Sequence, residues 1–296
     1  MIAGPAPDST PLGLRGRAED LAAPLPPLLA EAEQLAQTVL MGEHGRRRAG
    51  AGSNFWQYRA AQPHDTARAI DWRRSGRADQ AFVQEKEWQI AQSVALWVDD
   101  GAAMGFASTP RLPPKSDRAR LIALALAVVL NRGGERVGLT DARLPPRRGR
   151  GQLARLAQIL SQERGEDHGA PEAGGLAPQS RAVLISDFLG PIEPVEAMLT
   201  AAADRGVRGA LLQVLDPAEE AFPYDGRTIF ESMSGALRHE TLKAGDLKDR
   251  YLERLAARRA HLAALAHATG WQLSTHRTSE SAASALLWLH TALERR

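Results

Sequence analysis

The run Ser93-Val94-Ala95-Leu96-Trp97-Val98 followed by Asp99-Asp100 constrains this chain more than any other stretch. A mostly apolar segment that ends abruptly in two carboxylates, then in Gly101, Ala102 and Ala103, reads as a strand buried on both faces that empties into a loop. In open α/β sheets, ligands sit beyond the carboxyl ends of the strands. The loop begun by Asp99 and Asp100 is therefore the first place to look for a site.

After this strand, helical and extended patterns alternate. Ser116 reads as the N-cap of a helix over Arg118–Asn131, stopped at Gly133-Gly134. Strands are expected at Arg136–Leu139, Ala182–Ile185, Gly209–Leu215 and Trp271–Thr275, and helices at Gln152–Gln162, Val195–Arg205, Leu247–Thr269 and Ala282–Leu293. Arg164–Ser180, rich in Gly, Pro and Glu, reads as a surface loop, and Phe222–Leu242 as a small hairpin excursion. The alternation predicts an α/β fold, Rossmann-like, with a mostly parallel sheet covered by helices on both faces. Before it, Leu28, Leu29, Ala32, Leu35, Ala36 and Leu40 are spaced as a helix, and Gly42–Asp79 reads as short extended pieces. The expected division is a tail over residues 1–23, a β-containing N-terminal subdomain over 24–89, and the α/β domain over 90–296.

Composition removes several classes of function. There is no cysteine among the 296 residues, which excludes disulfides, thiolate zinc sites and cysteine nucleophiles. The 37 basic and 35 acidic side chains leave a net charge of +2, so charge gives no support to a nucleic-acid partner. No window approaches the ~18 apolar residues of a membrane span, and the Pro- and Gly-rich start lacks the pattern of a secretory signal. A cytoplasmic location is the expectation.

Three constellations carry chemistry. Asp99, Asp100 and Asp187 converge at one sheet edge if the strands are parallel; there they suit Mg²⁺ or the capping of loop amides. Arg46-Arg47-Arg48 before Gly50-Ala51-Gly52 is neither a Walker A loop nor a dinucleotide fingerprint, and reads as a solvated basic turn. The block from Asp65 and Arg68 through Asp71-Trp72-Arg73 is dense in paired charge and indole, and fits an internal Asp–Arg network and a partner surface equally well. No Gly-x-Ser-x-Gly elbow and no His-Glu-x-x-His motif is present.

Gly45–Gly52, Phe55-Trp56-Gln57-Tyr58-Arg59 and Asp65–Ser75 together resemble the signature of the DUF58 family, with Ala61 and His64 where that signature usually has Tyr and Gly. Leu215-Asp216-Pro217-Ala218-Glu219-Glu220 resembles the family's C-terminal half. The resemblance implies a von Willebrand A-like sheet with the Asp99 strand at its centre, and a partnership with a MoxR-type AAA+ ATPase. It also implies a metal-ion-dependent adhesion site of the form Asp-x-Ser-x-Ser, later joined by a threonine and an aspartate. The matching positions are Asp99, Gly101 and Ala103, with Asp187 and, loosely, Thr140, so both serine hydroxyls are missing. The expectation is a degenerate site at Asp99 and Asp187 and no resident cofactor. The expected function is a non-enzymatic adaptor or co-chaperone whose partner surface includes Arg46, Arg47, Arg48, Phe55, Trp56, Tyr58, Asp65, Arg68, Asp71, Trp72 and Arg73. The alternative is a metal-dependent hydrolase or phosphate-ester enzyme using Asp99, Asp100 and Asp187.

Overall fold

The computed structural model describes residues 27–43, 55–62, 70–76, 80–86, 91–162, 167–233, 235 and 238–294. Five parallel strands form the main sheet in the order β4 (Arg136–Leu139), β3 (Ser93–Val98), β5 (Arg181–Ser186), β6 (Arg208–Leu215) and β9 (Gln272–Arg277). Numbered by their place in the chain, they run 2-1-3-4-5, the flavodoxin-like doubly wound order. The winding reverses between β3 and β5, and the crevice there is where such sheets hold ligands. The Asp99 strand therefore lies beside the middle strand, which is β5, and not at the centre.

The inner strands β3, β5 and β6 bury both faces. Val94, Leu96, Val98, Val183, Ile185 and Leu212 meet one helical layer, whereas Ala95, Ala182, Leu184 and Leu211 meet the other. The first layer holds α1 (Pro27–Glu43), α3 (Lys115–Arg132), α4 (Arg150–Leu160) and α8 (Ala282–Glu294); the second holds α5 (Glu193–Asp204) and α7 (Lys248–Thr269). Helix α3 has no polar face along its middle. Every residue from Ile122 to Leu130 is buried, because α1 and α8 cover the side turned away from the sheet. The helix begins one residue before the expected cap: Pro114 is its N-cap and Ser116 lies inside the first turn, since Lys115 is drawn into the site described below.

Helix α1 departs from the expected division. Its Leu29, Ala32, Ala36 and Val39 belong to the same apolar cluster as α3 and the sheet, so this part of segment 24–89 shares the main core. The rest of that segment contributes an antiparallel pair, β1 (Phe55–Ala60) with β2 (Phe82–Lys86), and the one-turn helix α2 (Trp72–Ser75). After β6 comes the short helix α6 (Pro217–Ala221), then the expected hairpin of β7 (Thr228–Glu231) and β8 (Arg238–Thr241). The hairpin is anchored by aromatics: the Phe230 ring lies 5.8 Å from Phe222 and 5.5 Å from Tyr224.

On β9, His276 is buried, and among the described residues its Nε2 has no hydrogen-bond partner. Burial, aided by the nearby Arg118 charge and opposed by Glu280, lowers its pKa to about 4. An unfolded histidine gains its proton near pH 6.5, so between about pH 6.5 and 4 the unfolded chain binds more protons, and stability falls on acidification by roughly 3 kcal/mol. Urea titrations across that window measure the loss, and a His276→Gln variant is expected to lack this part of the pH dependence.

Candidate functional site

The carboxyl ends of β3, β5 and β6 bring together residues far apart in sequence. Asp99 leaves β3 with 3% of its surface exposed. Its Oδ1 accepts the backbone N–H of Gly101 at 2.9 Å and of Gly169 at 2.8 Å, and its Oδ2 accepts the Ser186 hydroxyl at 2.7 Å. Burial holds the Asp99 pKa above the usual carboxylate value against these three hydrogen bonds, and the charge of Asp187 adds to the rise.

Asp187 leaves β5 and meets a buried cation. Lys115, the first residue of α3, places its Nζ 2.6 Å from Asp187 Oδ2 and 2.6 Å from Glu219 Oε1, and only 1% of the side chains of Lys115 and Asp187 is exposed. The remaining oxygens are also taken: Leu189 N–H donates to Asp187 Oδ1, and Asp216 N–H donates to Glu219 Oε2. Asp216 in turn accepts Ala218 N–H and Ser108 N–H through its two carboxylate oxygens, and its exchange with Glu219 forms a capping box at the start of α6. Burial alone would lower the Lys115 ammonium, but the charges of Asp187 and Glu219 outweigh it and hold the pKa above the ordinary lysine value. Burial pushes Glu219 upward despite the ammonium beside it.

The segment expected as a surface loop supplies a wall of this site. Its Gly169 lies so close to Asp99 that a Cβ there would stand 2.7 Å from Oδ1, and a Cβ on Gly101 would stand 2.6 Å from the Asp167 carbonyl oxygen. Only hydrogen at these two positions lets the loop close over the β3 end. Farther along, Leu176 is buried in the second helical layer, and Gly175 N–H donates to the Thr140 carbonyl at 2.6 Å. A low density of apolar residues concealed these contacts.

These residues do not fit a divalent ion. Asp99 spends its oxygens on two amides and a hydroxyl, Asp187 on an amide and an ammonium, and Thr140 lies buried at the end of β4. Among the described residues, no three His, Asp or Glu side chains are grouped to hold a metal. The structure does bring Asp99 and Asp187 together, and Asp99 and Asp100 line a cleft with Arg120, Asp141, Arg143 and Glu172. Lys115, Ser186 and Glu219 complete the constellation, and the sequence reading gave none of them a role. One signal pointed to Lys115: the chain has four lysines among 37 basic residues, and this one follows Pro113-Pro114.

Of the expected partner surface, Arg46, Arg47, Arg48, Asp65 and Arg68 lie outside the described residues, and Phe55, Trp56 and Tyr58 are placed only as backbone of β1. Asp71 accepts Arg73 N–H at 3.1 Å, and its own N–H donates to the Phe82 carbonyl, which ties the block to β2. Trp72 is 64% exposed.

The architecture defines a Rossmann-like α/β protein whose switch-point crevice is filled by its own side chains. The family model described as "Protein of unknown function DUF58" matches residues 57–261, and the chain belongs to that family. Uncharacterised proteins of Mycobacterium bovis and Mycobacterium tuberculosis are 30% identical to it over 292 residues, covering 93% of this chain and 90% of theirs. Among solved structures, the conserved hypothetical protein BatB from Bacteroides thetaiotaomicron aligns with a TM-score of 0.39 at 15% identity, over 69% of this chain and 98% of its own. An aerotolerance-related membrane protein from Bacteroides fragilis, with multiple mutations to serines, aligns at 0.38 and 12%, over 70% of this chain and 100% of its own. The cytoplasmic expectation is corrected by that second description, which is of a membrane protein. Among the described residues, no helix is long and apolar enough to cross a membrane.

Ser186→Ala removes a donor from a buried carboxylate and is expected to cost about 1–3 kcal/mol near neutral pH. The same substitution raises the Asp99 pKa further, so the loss shrinks as pH falls and Asp99 is protonated. Urea unfolding of both proteins at neutral and acidic pH checks the sign and the size.

Proposed function

We propose that this chain is a non-enzymatic interaction module, an adaptor or co-chaperone on a von Willebrand A-like fold, serving a MoxR-type AAA+ ATPase and its client complex. The observation that carries the reading is Trp72: a large indole, 64% exposed, between Asp71 and Arg73 in the block that resembles the family signature. Tryptophan and arginine dominate binding hot spots, and an exposed indole on a segment anchored by backbone hydrogen bonds needs little ordering on association. The partner itself rests on the family resemblance.

The carboxyl edge agrees with this reading. A hydrolase needs a nucleophile, a base or an ion with open coordination, whereas Asp99, Asp187, Lys115 and Glu219 neutralise one another or accept loop amides. The metal-dependent alternative draws no support from that arrangement.

Affinity capture from native lysate with and without ATP tests the proposal. Wild-type protein is expected to retain an AAA+ ATPase. Trp72→Ala is expected to bind about 30-fold more weakly, as loss of a hot spot worth about 2 kcal/mol implies, while its stability changes by less than about 0.5 kcal/mol. Wild-type protein that captures no AAA+ ATPase refutes the adaptor reading, and undiminished binding by Trp72→Ala removes this face from it.

A further inference from the structure

We propose that Lys115 is a tethered cation: its ammonium fills, from within the chain, the position between Asp187 and Glu219 that an oxygen-liganded divalent ion would otherwise take. The carboxyl edge is thereby closed without metal.

Position argues first. A lysine in the first turn of a helix sits at the positive end of the helix dipole, where a cation is disfavoured. This one is also withdrawn from water, with 1% of its surface exposed. Such placement is tolerated only where opposite charges are held at contact, and two carboxylate oxygens stand 2.6 Å from Nζ. The Phe106 ring, 5.9 Å away, adds an electron-rich face.

The donor set argues second. Asp187 at the end of β5 and Glu219 in α6, which follows β6, are hard oxygen donors beyond the ends of adjacent strands, the type that Mg²⁺ accepts alongside water. Asp99 adds negative charge beside Asp187 at the same edge, while the ammonium itself is shared by two carboxylates. An excess of buried negative charge is a cation site by its electrostatics, and here a side chain occupies it.

Side-chain shape argues third. The compact ammonium of lysine donates to two separate carboxylates, whereas the planar guanidinium of arginine matches one carboxylate in a fork. A chain that otherwise uses arginine almost throughout carries lysine at this point.

Thermal melts in chelator and in about 10 mM Mg²⁺ test the proposal, because a ligand bound only by the folded state raises the melting temperature. Wild-type protein is expected to melt at the same temperature in both. Lys115→Ala, which leaves space as well as unpaired charge, is expected to melt roughly 10 °C lower in chelator and to regain at least about half of that in Mg²⁺. Lys115→Ala combined with Asp187→Asn and Glu219→Gln keeps the space without the charge, and no Mg²⁺ response is expected. If Lys115→Ala is unfolded in chelator, refolding on addition of Mg²⁺, followed by circular dichroism, is the same readout, with the neutral triple variant as the folded reference. Lys115→Ala that gains nothing from Mg²⁺, or wild-type protein that Mg²⁺ stabilises, overturns the proposal.

Discussion

The contact of one ammonium with two carboxylates organises the upper edge of this protein. Lys115 belongs to the start of α3, Asp187 to the end of β5 and Glu219 to α6, so a single cation ties together three segments of the chain. Breaking a buried pair by removing one partner costs about 3–5 kcal/mol, since the remaining charge is left without water or counterion. The same contact sets where α3 begins and places Pro114 at its cap.

Around that contact, satisfaction of polar groups spreads from strand to strand. Ser186 serves Asp99, and its hydroxyl oxygen also accepts Phe188 N–H at 2.9 Å. Gln213 on β6 donates to the Asp187 carbonyl and accepts from Thr275 on β9. A doubly wound sheet usually leaves its switch point open for a ligand. Here Asp99 and Asp187 are answered by the chain's own amides, hydroxyl and ammonium, and the segment carrying Gly169 closes over them.

Much of this architecture was legible in the sequence, because burial on both faces leaves a plain mark. The runs over β3, β5 and β6 are nearly unbroken in apolar residues, and the aspartates that follow them stand where the strands end. Local rules failed where distant groups intervened. Ser116 has the chemistry of a helix cap, yet Lys115, 72 residues from Asp187 and 104 from Glu219, decided the start of α3. A lysine in isolation reads as solvent-exposed, and nothing near it in sequence announces its partners. The segment 167–180 is a loop, as expected, but two of its glycines permit close approach to Thr140 and Asp99, and nothing local in the sequence announces those contacts. The apolar spacing of α1 marks it as a helix, but periodicity does not say which core an apolar face joins.

The docking of α1 and α8 over α3 bears on how the chain acquires its structure. Leu29 and Ala32, among the earliest described residues, and Leu286 and Leu289, among the latest, enclose the same buried helix. During synthesis α3 emerges with neighbours only on its N-terminal side, and one of its apolar flanks stays uncovered until residues 282–294 have left the ribosome. Completion of this core therefore waits for α8, and nascent chains that stop short of it present an Ala- and Leu-rich surface of the sort that holdase chaperones shield.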